Sequence, residues 1–83
     1  MYTNFVKISD LKWVSYGEIF EPFDAAVKLR HSKREDKIRF VPLVGGVANL
    51  EFSENVRIPA PGQYAAVYMG EALVCSGIIN KQP

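Results

Sequence analysis

Tyr64 to Met69 and Ala72 to Ile79 are two apolar, β-prone runs separated only by Gly70 and Glu71, a two-residue connection with glycine in its first place. They predict one tight β-hairpin. Just before it, Pro59, Ala60, Pro61, Gly62 and Gln63 cannot continue a regular element: each proline fixes φ and lacks an amide proton, and Gly62 suits a turn position of positive φ. The chain therefore turns a corner there. Further upstream, Ala25, Val27 and Leu29 alternate with Ala26, Lys28 and Arg30, the period-two signature of a half-buried strand. After the polar connection His31 to Asp36, a return strand alternates Lys37, Arg39 and Val41 with Ile38, Phe40 and Pro42.

Asn4 to Ile8 predicts a short first strand closed by Ser9 and Asp10. Leu11, Trp13 and Val14 follow as apolar contacts, with Trp13 a core anchor in one reading and a base-stacking platform in the other. Ser15 to Asp24 carries Gly17 and Pro22 and no sustained period, which predicts a loop with Phe20 and Phe23 plugging the end of the core. Gly45 and Gly46 predict a two-residue hairpin between Leu43, Val44 and Val47, Ala48. Leu50 and Phe52 alternate with Asn49 and Glu51, and Ser53, Glu54 and Asn55 predict a turn ahead of Val56 and Ile58. Short strands with a turn signal about every 8–12 residues, and no helical period, predict an all-β fold. The expected form is a small closed antiparallel barrel of about six strands, in which closure removes exposed edges. Ala72 to Cys75 are apolar on both faces, so the outer side of the last hairpin is expected to be covered by the amino-terminal segment or by another domain.

Composition narrows this picture. Eighty-three residues, 48% of them hydrophobic and 23% charged, make one small folded domain, residues 1–83, without room for a second core. The single cysteine, Cys75, permits neither an internal disulfide nor a thiolate metal cluster, which points to a reducing, cytoplasmic setting. No apolar run is long enough for a membrane helix or a secretory leader. The formal charge of +1 hides an uneven distribution. Lys28, Arg30, Lys33, Arg34, Lys37 and Arg39 lie in one short stretch against only Glu35 and Asp36, a local anionic contact site rather than a generally basic surface. Together with His31, these six are the candidate nucleic-acid-binding residues, since cations on one hairpin can neutralise phosphates without reading base sequence. A solvated basic face with no partner is the competing reading.

Catalytic chemistry is not legible. His31 lies in a basic loop with no carboxylate fixed beside it apart from Glu35 and Asp36. Cys75 sits mid-strand among apolar residues, where a thiol behaves as a small hydrophobe and its pKa rises. Glu18, Glu21 and Asp24 read as a solvated acidic loop. Gly45 and Gly46 have no following lysine or helix and so make no phosphate loop. No catalytic, cofactor-binding or metal-binding residue is therefore assigned.

The string from Pro61 through Ile79 resembles the carboxy-terminal barrel of the tRNA-specific 2-thiouridylases, a family also labelled tRNA methyltransferases. The shared features are the Pro61, Gly62, Gln63 corner, the Ala66, Val67, Tyr68 strand, the acidic turn at Glu71 and the ending before Ile78 and Ile79, although the family's run of glycines is reduced here to Ser76 and Gly77. Asp10 through Ser15, centred on Trp13, is similar to the family's Asn-Trp-Ser segment, and Val27 through His31 to its Val-Lys-Ile-Arg-Tyr strand. The resemblance implies a barrel like the second domain of elongation factors, at the carboxy-terminal end of a larger enzyme. That enzyme thiolates the wobble uridine of certain tRNAs with an ATP-binding catalytic domain and a pair of persulfide-carrying cysteines, none of which has a counterpart in this sequence. It implies a catalytically silent module that helps hold tRNA and packs against the catalytic and central domains, with Lys28 and Arg30 on family-like positions. Two alternatives stand beside it. Flavin- or nucleotide-binding barrels of the ferredoxin-reductase type also carry a Pro-Gly-Gln-Tyr string, but their Arg-x-Tyr-Ser flavin contact is not found here. A purely structural interaction module is the other.

Overall fold

The computed structural model describes residues 2–29, 35–57 and 62–80. Six strands, β1 (Tyr2–Trp13), β2 (Phe23–Leu29), β3 (Asp36–Leu43), β4 (Val47–Arg57), β5 (Tyr64–Met69) and β6 (Ala72–Ile79), close into a barrel in the order β1-β4-β3-β2-β5-β6. Every pairing is antiparallel. The predicted barrel is the fold.

Alternation decides what fills it. Val6 and Ile8, Val27 and Leu29, Ile38 and Phe40, Ala48, Leu50 and Phe52, Ala65 and Val67 point inward from successive strands, joined by Val74, Cys75 and Ile79 of β6. Burying each of the larger side chains stabilises the fold by about 1.5–3 kcal/mol relative to exposure. Phe40 is the centre of the aromatic packing: Phe23 stacks on it at 4.8 Å and Trp13 meets it edge-on at 5.6 Å. Trp13 and Phe23 thus act as core anchors. Phe20 and Val14 do not, being 77% and 58% exposed, because the loop after β1 carries them past the barrel rim. Among the described residues no polar or charged side chain is buried, so any functional site lies on the outer faces or at the barrel ends.

Three bulges account for the departures from the simple alternation. β1 does not stop at Asp10. That residue adopts φ 53°, and the register between Ser9 and Lys12 gains one residue against β6. The first half of β1 pairs with β4 and the second half with β6, so the bulge turns the corner that closes the barrel. The expected turn at Ser53 to Asn55 is an interruption within one ladder: Phe5 faces Glu51 and Thr3 faces Val56, leaving three extra residues on β4 while the strand runs on. In β6, Val67 faces Cys75 and Tyr68 faces Leu73, which makes Val74 an inserted residue. Val74 and Cys75 are consecutive yet both fully buried. The bulge accommodates the consecutive apolar pair Val74 and Cys75 within the interior.

The turns follow glycine. Gly70 opens the β5–β6 connection at φ 62°, and Gly62 of the corner has φ 91°. Pro59, Ala60 and Pro61 of that corner lie outside the described residues. The β3–β4 connection is one residue longer than expected, since Leu43 pairs with Val47 and Val44 joins Gly45 and Gly46 in the loop. Gly62 then donates to the Ile79 carbonyl at 2.9 Å and Ile79 to the Gln63 carbonyl at 2.8 Å, fastening the corner to the end of β6.

Candidate nucleic-acid interface

Register sets the outward face of β2 and β3. Asp24 pairs with Arg39, Ala26 with Lys37, and the ladder runs on to Lys28 beside Glu35. Because side chains alternate across a strand, Lys28, Lys37 and Arg39 point to solvent from one side of the barrel. Of the sequence candidates, these three are brought together. Arg30, His31, Lys33 and Arg34 lie outside the described residues.

Each of the three cations has a distinct setting. Lys28 Nζ is 3.9 Å from Glu35 Oε1 and 5.3 Å from the centre of the Tyr68 ring. Arg39 Nη1 is 3.6 Å from Asp24 Oδ1 and lies across from Glu51 on β4. Lys37 stands between Ala26 and the β4 strand without a carboxylate opposite it on β2. Exposed pairs at such distances contribute about 0–1 kcal/mol and are screened by salt, so they do not withhold these cations from a phosphate. The carboxylates also matter to the total. Asp24, Glu35 and Asp36 of the hairpin, with Glu51 on β4, stand against Lys28, Arg30, Lys33, Arg34, Lys37 and Arg39, which leaves a positive surplus of two.

An open groove of about 780 Å³ crosses this face. Ala26 is in its floor, Tyr68 and Met69 bound it from β5, and Arg39, Glu51 and Ser53 bound it from β3 and β4. Sequence reasoning passed over Tyr68, taking it only as a strand residue. The signal was present: Tyr64, Ala66 and Tyr68 form the polar phase of β5, and the β2–β5 register places Tyr68 opposite Ala26. An aromatic face beside lysine is suited to stacking on a base or ribose.

The remaining chemistry-bearing residues take structural roles. Cys75 is fully buried, and burial pushes its thiol from 9.0 up to about 12, so it is held neutral and unreactive. Glu18 and Glu21 are exposed. Gly45 and Gly46 turn a hairpin and open no helix, so no phosphate cradle forms there. Among the described residues, no group of three or more His, Cys, Asp or Glu is placed to hold a metal. Among the described residues there is no helix long and apolar enough to cross a membrane.

The profile of the aminomethyltransferase β-barrel domain family matches residues 3–79. The chain belongs to this family. Proteins named tRNA-specific 2-thiouridylases align with it over nearly all of its length. The tRNA-specific 2-thiouridylase MnmA of Idiomarina loihiensis is 32% identical over 82 residues, which is 99% of this chain and 22% of that protein. Its namesake from Chlorobium phaeobacteroides is 32% identical over 78 residues, 94% of this chain and 22% of that protein. The one from Shouchella clausii is 26% identical over 81 residues, 98% of this chain and 22% of that protein. The chain thus spans about a fifth of the length of these curated relatives. The Pro-Gly-Gln-Tyr string lies inside the matched range and is accounted for by this family rather than by a flavin barrel.

Proposed function

We propose that this barrel is the accessory tRNA-contacting and domain-packing module of an enzyme that 2-thiolates the wobble uridine of tRNA. The observation that carries this is the match of residues 3–79 to a barrel whose relatives are named tRNA-specific 2-thiouridylases. The outward grouping of Lys28, Lys37 and Arg39 on β2 and β3 supports the RNA contact. ATP and the sulfur chemistry belong to the catalytic domain of the parent protein. This domain holds RNA by its backbone and contributes no reacting group.

Physically, the contact is positioning. Each phosphate neutralised by lysine or arginine releases counterions, which makes affinity strongly salt-dependent and largely independent of sequence. Unmodified tRNA is therefore expected to bind the 83-residue chain at low salt, and to bind much less when Lys33, Arg34, Lys37 and Arg39 are all changed to glutamine. No binding at low salt would leave only the packing role.

A further inference from the structure

The outward face of β2 and β3 holds a slot that phosphate contacts do not require. Ala26 pairs with Lys37 on one side and with Tyr68 on the other, so Tyr68, Ala26 and Lys37 form one row across β5, β2 and β3. Neighbouring strands lie about 4.8 Å apart, which sets the tyrosine and the lysine about 10 Å from each other at the backbone. Between them stands only a methyl group. A planar ring lying on Tyr68 takes up about 3.5–4.0 Å of that width and leaves the lysine ammonium beside it. All three residues line the groove, and Tyr68 is half-buried in its wall.

The groups around the slot are of both signs. Lys37 and Arg39 line it with Lys28 alongside, and Asp24, Glu35 and Glu51 set carboxylates among them. A wholly anionic ligand meets those carboxylates and is repelled by them. A nucleotide answers both kinds of group, since its phosphate takes the cations while base amino groups and ribose hydroxyls donate to carboxylates. Lys28 Nζ lies 5.3 Å from the centre of the Tyr68 ring. A stacked base gains more from such a ring than an exposed ammonium does, so a base displaces Lys28 and frees it for the phosphate. Within a duplex each base is already stacked and paired, and its face is withheld from the tyrosine. Only an unpaired nucleotide fits.

We infer that this slot binds an unpaired nucleotide of an RNA strand, with its base stacked on Tyr68 above Ala26 and its phosphate held by Lys28 and Lys37. The site deepens the proposed RNA contact and rests on it: the cations hold a strand of any kind, and the slot adds a preference for single-stranded RNA over duplex. Every base has a face to stack, so the preference is for strandedness and not for sequence.

The test measures binding of the 83-residue chain to a ten-nucleotide cytidine RNA strand and to a ten-base-pair RNA duplex, by fluorescence anisotropy over a salt series. Tyr68→Ala is expected to weaken the single strand about tenfold, to leave the duplex unchanged, and not to alter how steeply affinity falls with salt. Tyr68→Phe should bind both as wild type does. Ala26→Leu, in the open floor of the groove, fills the slot while keeping the tyrosine and every cation, and should reproduce the tenfold loss without lowering the melting temperature. Lys37→Gln should instead flatten the salt dependence for both RNAs. Single-strand affinity that survives both Tyr68→Ala and Ala26→Leu, equal losses for the duplex in both variants, or cytidine monophosphate binding as tightly as the strand would overturn the inference and leave the phosphate contact standing. Absence of salt-dependent binding of either RNA to the wild-type chain would overturn the proposed RNA contact and the slot with it.

Discussion

Gly77 is where the barrel leaves no room for a single methyl group. It lies opposite the β1 bulge, and a Cβ built on it would stand 2.9 Å from Ile8 Cδ1, 3.0 Å from the Ser9 carbonyl oxygen and 3.1 Å from Leu11 Cδ2. The two carbon neighbours are well inside the roughly 3.5–4.0 Å of an optimal contact between carbons, and the carbonyl oxygen is closer than a Cβ ordinarily stands to backbone. Two of the neighbours are side-chain tips that can rotate, but the Ser9 carbonyl is backbone held by the bulge. Overpacking of this kind costs about 1–3 kcal/mol. Removing glycine's freedom from the unfolded chain returns about 0.4–1 kcal/mol. Gly77→Ala is therefore expected to lose about 1–2 kcal/mol net. At about 4–8 °C per kcal/mol for a domain of this size, its Tm should fall by roughly 5–15 °C in a calorimetric or circular-dichroism melt. Gly17 supplies the control, since a Cβ there meets nothing within 4 Å and its φ is not positive. Gly17→Ala should be neutral or slightly stabilising. A Gly77→Ala protein melting at or above the wild-type temperature, beside a well-behaved control, would refute the close approach of β1 and β6.

Asp10 holds φ 53° at the same bulge, a conformation that glycine adopts freely and β-branched residues resist. Asp10→Gly is expected to be near neutral and Asp10→Val to lose roughly 1–2 kcal/mol, measured by urea unfolding; equal stabilities would deny the left-handed kink. Cys75 gives a pH signature. Its thiol is pushed up to about 12 in the fold but titrates near 9.0 when unfolded, so the stability from keeping it neutral is complete below pH 9 and is lost as pH rises toward 12. Wild-type protein should lose up to about 1.4 kcal/mol more per pH unit in that window than Cys75→Ala, and parallel pH profiles of the two would contradict the burial.

Alternation was enough to read the barrel, because most strands present one face to one interior. Val27 and Leu29, Ile38 and Phe40, and Leu50 and Phe52 are buried at the phase their spacing predicted. The bulges were not legible. Ser53, Glu54 and Asn55 have turn composition, yet they are extra residues in a ladder whose continuation depends on Thr3 facing Val56 across the barrel. The cost of an interrupted strand is met by a partner far away in sequence, which no local window contains. Phe20 was misplaced for the converse reason: its hydrophobicity says nothing about where a loop leads. In the candidate interface, clustering of cations was visible along the chain, but their balancing by Asp24 and Glu51 follows only from the register of three strands. Tyr68 joins that face through pairing with Ala26, again a long-range fact.

Lysine footprinting tests the RNA-contacting role most directly. Amine modification of the 83-residue chain, free and with excess unmodified tRNA at low salt, is read at each lysine by mass spectrometry. Lys33 and Lys37 should be protected several-fold by tRNA and lose that protection at high salt, while Lys7 and Lys12, exposed on β1 across the barrel, should react as before. Protection that is absent, or that falls equally on Lys7 and Lys12, would contradict a phosphate contact carried by the β2–β3 hairpin.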